Sequence, residues 1–318
     1  MKPDVLRVRA LSVRYHTPGG AVRAADGITF SLRADERLGI AGESGSGKST
    51  MALSLLRLIK PPGRIESGEI WLDGQDLMTL SEDEMRRLRL ARIALVPQGS
   101  MNSLNPVLRI RDQVADALRD HGVEATRRQL EERLRDLLPR VGLGPEVAGM
   151  FPHQLSGGMK QRACIAIAMS LSPRVIVADE PTSALDVVVQ KQVMDTLARA
   201  QADLGASVIL VGHDMGLMAQ FVDRLGVMYA GKLVEISPVR DVFTEPLHPY
   251  TRMLIASLPS LEQRGVFQGI PGLPPPLRDL PPGCAFHPRC PLAVERCRTE
   301  APQLREARPD AWAACHLV

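Results

Sequence analysis

The sequence of 318 residues predicts an α/β fold: a mainly parallel sheet with antiparallel edge strands and a helical insertion, followed by a small C-terminal unit rich in proline and cysteine. Short apolar segments alternate with helical patterns, which is typical of a parallel sheet with helices on both faces. A glycine-rich loop joins one buried strand to an apolar helix. A stretch with helical spacing then interrupts the alternation, which indicates an insertion.

Alternation and β-branched residues predict strands in the N-terminal part, the first two of them as antiparallel edge strands. The predicted strands are residues 5–13, 22–32, 37–41 and 92–96. An apolar helix over 49–58 ends at the turn Pro61-Pro62-Gly63. Ser81 and Glu84 have the spacing of a capping box, which predicts the start of a short charged helix.

Segments 110–118 and 130–138 have helical apolar spacing, and they predict an all-helical subdomain over about 99–172. The alternation of strands and helices then returns. The later predicted elements are a strand at 174–179, a helix at 188–204, a strand at 206–211 and short strands at 224–229 and 232–236. The main domain is therefore predicted over 1–257, and 258–318 are predicted as a Pro-rich connector with a cysteine-rich unit.

The charge balance and hydropathy exclude several classes. A formal net charge of +3 and an aromatic content of 3% do not indicate nucleic-acid binding, which needs a concentrated basic face or aromatic stacking. The apolar runs are far shorter than the roughly 20 residues of a membrane-spanning helix. The N-terminus has scattered charges and no apolar block, so it does not predict a secretory signal. We expect a cytosolic chain, or one that docks on a membrane through another chain.

The string GESGSGKST matches the phosphate-loop pattern G-x-x-x-x-G-K-[ST]. Its glycines let several backbone N–H groups point at one phosphate chain, and the helix that follows adds its positive dipole end. Lys48 is expected to reach the β- and γ-phosphates of ATP, and the Ser49 hydroxyl to coordinate Mg²⁺. The predicted nucleotide-binding residues of this loop are Gly42, Glu43, Ser44, Gly45, Ser46, Gly47, Lys48, Ser49 and Thr50.

A second candidate site element is the apolar strand that ends in Asp179 and Glu180. Asp179 is expected to hold Mg²⁺ through water, and Glu180 to polarise the attacking water as general base. Alone, a strand that ends in two carboxylates is more often a helix cap or a surface pair. Here the two carboxylates follow a phosphate loop in the order and at the distance along the sequence that a nucleotide site requires, which favours the catalytic interpretation.

The string Leu155-Ser156-Gly157-Gly158-Met159 resembles the LSGGQ signature of the ATP-binding cassette (ABC) family, with Met159 where Gln is most common. Ser156, Gly157 and Gly158 at a helix start form an anion-binding helix terminus. The resemblance implies a P-loop NTPase cassette. It also implies two cassettes in a head-to-tail sandwich, in which each signature caps the ATP that the other cassette holds.

The same resemblance implies roles for residues outside these three motifs. Tyr15 matches the aromatic residue that stacks on adenine, with a core-facing strand tyrosine as the alternative. Gln98 matches the glutamine that touches Mg²⁺ and the lytic water, and His213 matches the switch histidine that senses the γ-phosphate. Residues 183–186 match the loop that contacts the opposite cassette. With both Glu180 and His213 present, we expect a hydrolytically competent site.

Four of the five cysteines lie near the C-terminus, at Cys284, Cys290, Cys297 and Cys315. Their spacing lacks the close pairs of structural zinc sites, and four thiolates are the usual ligands of an iron–sulfur cluster. The spacing favours a 4Fe–4S cluster but leaves open zinc, which would also use histidines, and metal-free thiols or disulfides. The nearby histidines and the separate cysteine in a helical pattern are interpreted as structural; they are His287, His316 and Cys164.

This cysteine segment, with the Leu247-His-Pro-Tyr250 stretch, resembles the C-terminal extension of oligopeptide and dipeptide importer ATPases. The resemblance implies an ATPase subunit that powers import of peptides or a related small solute. It implies a second cassette chain, two membrane permeases, which residues 99–106 would meet, and an extracellular binding protein. The chain would then lie on the cytoplasmic side of the cell membrane, with the connector packed along the partner cassette.

Two alternatives belong to other classes of protein. One is a soluble ABC ATPase that acts on nucleic acid or ribosomes, although such proteins generally carry two cassettes or a long coiled-coil insertion. The other is a redox-sensing module built on the cysteines. No residue of this sequence indicates which solute is imported.

Overall fold

Residues 2–99, 103–258 and 269–318 are described in a computed structural model of the chain. They form two units. The first unit contains the N-terminus up to Leu6, Leu32–Glu36 and Asp73–Ile209, and the second contains Arg7–Ser31, Arg37–Leu72 and Leu210–Val318. The phosphate loop and the C-terminal cysteine segment therefore belong to the same unit, although more than 200 residues separate them along the chain.

Strands and helices alternate along the chain as the sequence predicts, which confirms the α/β class with a mixed sheet. The strands are β1 (Asp4–Thr17), β2 (Gly20–Arg33), β3 (Arg37–Ala41), β4 (Gly63–Leu72), β5 (Gln75–Asp76), β6 (Ile93–Val96), β7 (Val175–Asp179), β8 (Ser207–Val211), β9 (Arg224–Tyr229), β10 (Lys232–Pro238), β11 (Arg305–Arg308) and β12 (Ala311–Ala313). The helices are α1 (Lys48–Leu55), α2 (Glu82–Leu88), α3 (Ile110–Arg119), α4 (Arg127–Arg140), α5 (Gly157–Met169), α6 (Val187–Leu204), α7 (Met215–Phe221), α8 (Val239–Thr244), α9 (Pro249–Ala256) and α10 (Glu295–Thr299). In the described residues, no helix is both long and apolar enough to cross a bilayer.

The first unit contains the helical subdomain and two parallel strands. β6 pairs with β7 in parallel, with Val96 opposite Ala178, and every residue of β7 is buried. The helices α3 and α4 bury Val114, Leu118 and Leu134 in one small core. Burial of each such side chain contributes about 1.5–3 kcal/mol, so the apolar stripes that predicted these helices also hold them together.

The second unit contains a mixed group of strands and a separate small sheet. β3 pairs with β9 in parallel, β9 pairs with β10 antiparallel, and the C-terminal strands extend the order to β11-β12-β10-β9-β3. The strands β1 and β2, which the sequence predicts as edges of the parallel sheet, instead lie in the order β2-β1-β4 in their own sheet. The strands β11 and β12 were not predicted from the sequence.

Two buried ionisable side chains hold the start of α9 against β10. Glu235 is fully buried and accepts hydrogen bonds from the Leu247 and His248 N–H groups at 2.9 and 2.8 Å. His248 is also buried, and its Nδ1 accepts a hydrogen bond from the Tyr250 N–H at 3.0 Å. Burial raises the pKa of Glu235 and lowers the pKa of His248 from 6.5 to about 3. His248 therefore caps the helix as a neutral imidazole.

The substitution His248→Asn is expected to reduce the loss of stability that acid causes. The folded pKa of His248 lies below the unfolded value, so its contribution is complete above about pH 6.5 and is lost as the pH falls toward 3. Asn keeps a side-chain acceptor for the helix N-terminus. Between pH 7.5 and 4.5 the wild-type free energy of unfolding should therefore fall by about 2–3 kcal/mol more than that of the variant, as measured by urea unfolding. An equal loss in both chains would contradict this assignment, since Glu235 titrates in both.

Candidate nucleotide-binding site

The phosphate loop lies between β3 and α1 and is confined on two sides by backbone carbonyls. Gly47 caps α1 with φ +100°, and a Cβ there would lie 2.0 Å from the Ala24 carbonyl oxygen. Gly42 has φ +151°, and a Cβ there would lie 2.2 Å from the Met228 carbonyl oxygen. Both the left-handed backbone and the lack of space therefore require glycine at these two positions.

Lys48 lies inside the loop. Its Nζ donates to the carbonyl oxygens of Gly42 and Glu43 at 2.8 and 3.0 Å, and the side chain is 5% exposed. Ser49 and Thr50 follow on the first turn of α1 and are half-buried. A positive charge among main-chain groups at a helix N-terminus is the arrangement that binds phosphate.

Two N–H groups of the loop donate within the protein instead of pointing outward. The Glu43 N–H donates to Tyr250 Oη at 3.0 Å, and the Ser46 N–H donates to the Glu43 carbonyl oxygen at 3.1 Å. Ser44 and Gly45 are exposed at the loop tip. The main chain at Glu43 and Ser46, the base of the loop, is therefore held by the protein, whereas the tip at Ser44 and Gly45 is exposed. The sequence motif does not show this difference.

The Glu43 side chain has a partner that sequence reasoning missed. Arg289 makes a forked ion pair with it, with Nη1 and Nη2 at 2.8 and 3.0 Å from the two carboxylate oxygens. Tyr250 belongs to the stretch that resembles importer ATPases, but its contact with the loop was not predicted. Arg289 lies between two predicted metal ligands, and no local pattern in the sequence pairs it with a residue 246 positions away.

The structure brings Gln98 and Glu180 together in the first unit. Gln98 Nε2 donates to Glu180 Oε2 at 2.8 Å. The two residues follow the carboxyl ends of the parallel neighbours β6 and β7, the edge at which α/β sheets place their ligands. Asp179 ends β7 and is buried, and Glu180 has φ +45°. Such a left-handed backbone is strained for a side chain with a Cβ and recurs at functional sites.

The signature string forms the start of α5 in the first unit. Ser156 is exposed and caps the helix, with its Oγ accepting from the Met159 N–H at 3.3 Å. Gly157 is half-buried, whereas Gly158 is buried. The predicted helix terminus is therefore present, with Ser156 as its most accessible residue.

The loop over residues 183–186 ends in a helix cap. Asp186 caps α6, with its Oδ1 accepting from the Val189 N–H at 3.0 Å. The first two residues of α6, Val187 and Val188, are 79% and 68% exposed. An apolar pair beside a loop that is expected to meet another cassette is consistent with a protein contact there.

Tyr15 and His213 both belong to the second unit, with the phosphate loop. Tyr15 lies on β1 and is half-buried. His213 is exposed and follows Gly212, whose N–H donates to the Ile40 carbonyl oxygen at 3.1 Å. Because Ile40 lies on β3, this contact ties the His213 segment to the strand that enters the phosphate loop.

The four C-terminal cysteines lie near one another. The Cys284 N–H donates to the Cys297 carbonyl oxygen at 2.8 Å. Burial is the main cause that raises the pKa of Cys284 to about 11, and the other three thiols contribute to this rise. All four are free thiols. In the described part of the chain, however, no three His, Cys, Asp or Glu side chains are arranged to hold a metal ion, so the expected iron–sulfur or zinc site finds no support there.

The residues interpreted as structural have backbone or core partners. His287 Nδ1 lies 3.0 Å from the Cys284 carbonyl oxygen, and His316 Nε2 lies 2.8 Å from the Glu300 carbonyl oxygen. Cys164 is buried in α5, and burial raises its pKa to about 12. Such a thiol is a poor nucleophile and acts as a small apolar side chain.

The Pro-rich connector contacts its own chain. The Leu277 carbonyl oxygen accepts from the Arg23 N–H at 3.4 Å, and the Pro271 carbonyl oxygen accepts from Arg289 Nε at 2.8 Å. These contacts lie within the second unit. The expected packing of this segment along a partner cassette stays a prediction.

Comparisons with known proteins agree with these motifs. The family profile described as ABC transporter matches residues 25–183, and the profile described as oligopeptide/dipeptide transporter, C-terminal region, matches residues 234–297. The chain is 41% identical to a dipeptide transport ATP-binding protein of Caldanaerobacter subterraneus, over 98% of this chain and 97% of that protein. It is 42% identical to an oligopeptide transport ATP-binding protein of Escherichia coli, over 98% of this chain and 92% of that protein.

Solved structures resemble the chain as well. The dimeric post-hydrolysis structure of the ATP-binding cassette MJ0796 bound to ADP and Pi is 27% identical, with a TM-score of 0.66, over 74% of this chain and 99% of that one. The dimeric structure of the same bacterial ABC transporter cassette has a TM-score of 0.66 at 28% identity, over the same shares of the two chains.

The substitution Gly47→Ala is expected to weaken ATP binding at least tenfold. The new Cβ would overlap the Ala24 carbonyl oxygen, so the loop would have to move away from the start of α1. Gly149→Ala is the matched control, because a Cβ there meets no atom within 4 Å. Equilibrium binding of a fluorescent ATP analogue to each variant measures the change. Equal affinity in the two variants would show that the loop tolerates a side chain at Gly47.

Proposed function

The chain belongs to the ABC transporter family, and from this premise we propose that it is the ATP-hydrolysing subunit of a membrane importer for peptides. The observation that carries the peptide assignment is the match of residues 234–297 to the C-terminal region of oligopeptide and dipeptide transporters. The names of the two curated relatives support the same class of substrate. They do not favour a role on nucleic acid or ribosomes.

The phosphate loop supplies the electrostatics of ATP binding. Lys48 carries the positive charge, and the N-terminus of α1 adds its dipole to the same end of the loop. Tyr15 is proposed to stack on the adenine ring. The proposed Mg²⁺ ligands are Ser49, Gln98 and Asp179, whose oxygen atoms suit this cation, and bound Mg²⁺ neutralises charge on the transferred phosphoryl group.

Glu180 is proposed as the general base, with Gln98 as its partner. The 2.8 Å hydrogen bond from Gln98 Nε2 fixes the Glu180 carboxylate, which would accept a proton from the attacking water. The left-handed backbone at Glu180 sets the direction of that side chain. His213 is proposed to contact the γ-phosphate, so that hydrolysis is sensed next to β3.

One chain supplies one phosphate loop and one signature, so the proposal includes a second cassette chain. Ser156 would meet the ATP on the partner's phosphate loop, and residues 183–186 with the exposed Val187 and Val188 would lie at the contact. The dimers formed by MJ0796 support pairing of this kind. Two permeases and an extracellular binding protein complete the proposed importer, and the chain would lie on the cytoplasmic side of the cell membrane.

The C-terminal thiols are proposed to bind a metal, as a 4Fe–4S cluster first and as zinc second. The support is that the pKa values of Cys284, Cys290 and Cys315 are raised first by burial and then by other thiols of the four. A bound cation would relieve that repulsion by stabilising the thiolates. Because no three of the described ligand side chains form a metal-holding group, binding requires the thiols to rotate toward a common centre.

The substitution Glu180→Gln is expected to leave ATP binding intact and to slow ATP hydrolysis by about 10²–10⁴-fold, the range for loss of a general base. Peptide uptake into proteoliposomes that contain the assembled importer should fall in parallel. ATP should also accumulate in a closed dimer that size-exclusion chromatography detects. Lys48→Ala is the comparison, because it should remove ATP binding itself. Hydrolysis by Glu180→Gln at the wild-type rate would exclude Glu180 as the base. If the assembled importer hydrolyses ATP but does not transport peptides, peptides are excluded as its substrate class.

The substitution Cys290→Ser is expected to remove most of the bound iron from protein prepared anaerobically. The metal content of the variant and of the wild type is measured by iron, sulfide and zinc analysis, together with the absorption spectrum. Cys164→Ser is the matched control, since that thiol is buried in α5 and should not affect metal content. If the analysis finds about one zinc per chain and no iron, the site is a zinc site and not an iron–sulfur cluster. Four reactive thiols and no metal in an intact complex would exclude a metal site.

A further inference from the structure

The C-terminal unit holds the phosphate loop of its own chain through Arg289. This side chain is 5% exposed, and its forked bond to Glu43 uses both terminal nitrogens. Its Nε donates to the Pro271 carbonyl oxygen at 2.8 Å, and Nη1 also donates to Tyr229 Oη at 3.3 Å. The guanidinium therefore joins the loop, the connector and β9. A planar forked contact of this kind fixes direction as well as distance.

An aromatic cluster of Tyr229, Tyr250 and Phe286 lies next to this ion pair. Tyr229 and Tyr250 lie 4.6 Å apart by ring centroids, and Phe286 lies 5.1 and 5.3 Å from them. The hydroxyl of Tyr250 accepts the Glu43 N–H, while the hydroxyl of Tyr229 accepts from Arg289. Glu43 is thus held by its main chain through one tyrosine and by its carboxylate through Arg289.

Arg289 is itself placed by a short turn that the cysteines flank. The His287 N–H donates to the Cys284 carbonyl oxygen at 3.0 Å, and the Arg289 N–H donates to the Phe286 carbonyl oxygen at 3.0 Å. Phe286 is buried in the aromatic cluster, and Cys290 follows Arg289 directly. The conformation of the cysteine segment therefore sets the position of the guanidinium that meets Glu43.

We propose that Arg289 is a positioning residue for the phosphate loop, through which the C-terminal unit sets the affinity of this chain for ATP. The inference rests on the proposed function, because it assigns regulation to the same ATP site. Loss of Arg289 frees the base of the loop and leaves the Glu43 carboxylate uncompensated beside a site for an anionic ligand. Both effects oppose ATP binding. The chemistry of hydrolysis belongs to other residues, so Arg289 acts on binding and not on the bond-breaking step.

The test compares ATP affinity in Arg289→Ala, Glu43→Gln and the double variant, each as the full chain. Arg289→Ala is expected to weaken ATP binding about tenfold, a size usual for residues that share one hydrogen-bonded network. Glu43→Gln should weaken it in the same direction, and the double variant should bind no more weakly than Arg289→Ala. In the assembled importer, the KM for ATP should rise while kcat at saturating ATP stays within about twofold of wild type.

If Arg289 acted only through its charge, the ATP affinities of the variants would differ from those expected for a positioning residue. If Arg289 acted only by neutralising Glu43, then Glu43→Gln would tighten ATP binding, and that outcome would overturn the proposal. Additive losses in the double variant would also overturn it. Arg289→Lys keeps the charge but cannot make the forked contact, so its affinity should stay closer to that of Arg289→Ala than to wild type.

Two controls separate this inference from misfolding and from failure of the proposed function. Arg296→Ala removes an exposed ion pair with Glu300 in the same unit and should leave ATP affinity unchanged. Thermal unfolding identifies any variant that fails to fold, and Glu43→Gln tests the contact with the C-terminal residues intact. If Lys48→Ala removes ATP binding and Arg289→Ala does not change it, only the positioning role fails. If Lys48→Ala also binds ATP normally, the proposed function fails.

Discussion

A phosphate loop binds its ligand more tightly when its backbone is held in one conformation before the ligand arrives. In this chain the constraint comes from contacts on two sides of the loop. The carbonyls of Ala24 and Met228 leave no room for a side chain at Gly47 or Gly42, and the Glu43 peptide is anchored through Tyr250. Fixing the backbone of one residue costs about 1–2 kcal/mol of conformational entropy. Because the fold already orders this loop, that cost does not reduce the affinity for ATP.

Patterns that are local in sequence predicted most of the cassette correctly. The phosphate loop is one continuous string, and Asp179 and Glu180 follow a short run of apolar residues that predicted a buried strand and forms β7. The family resemblance implied a role for both Gln98 and Glu180 at the lytic water, and the parallel register of β6 and β7 explains why the two side chains meet. In each case the residues lie at the end of an element whose hydropathy pattern is strong.

Contacts between distant segments could not be predicted in the same way. Arg289 and Glu43 are both common surface residue types, and nothing near either one marks it as half of a buried pair. The strands β11 and β12 are short, and their pairing with β10 depends on a tertiary neighbour and not on their own propensity. The cysteine spacing predicted proximity of the thiols, which the structure shows. A spacing does not determine side-chain rotamers, and these decide whether thiols converge on a metal.

The addition of β12 to β10 has a consequence for the solubility of the folded chain. β12 covers main-chain donors and acceptors along one side of β10, with Glu235 opposite Ala313 and a further bond from the Ala314 N–H to the Val234 carbonyl oxygen. A chain shortened before β11 would present those groups as an open, largely apolar edge, which is a template for pairing with another molecule. β12 therefore also protects the folded chain from self-association, and a cassette shortened before β11 would be prone to aggregate even with its ATP-binding motifs complete.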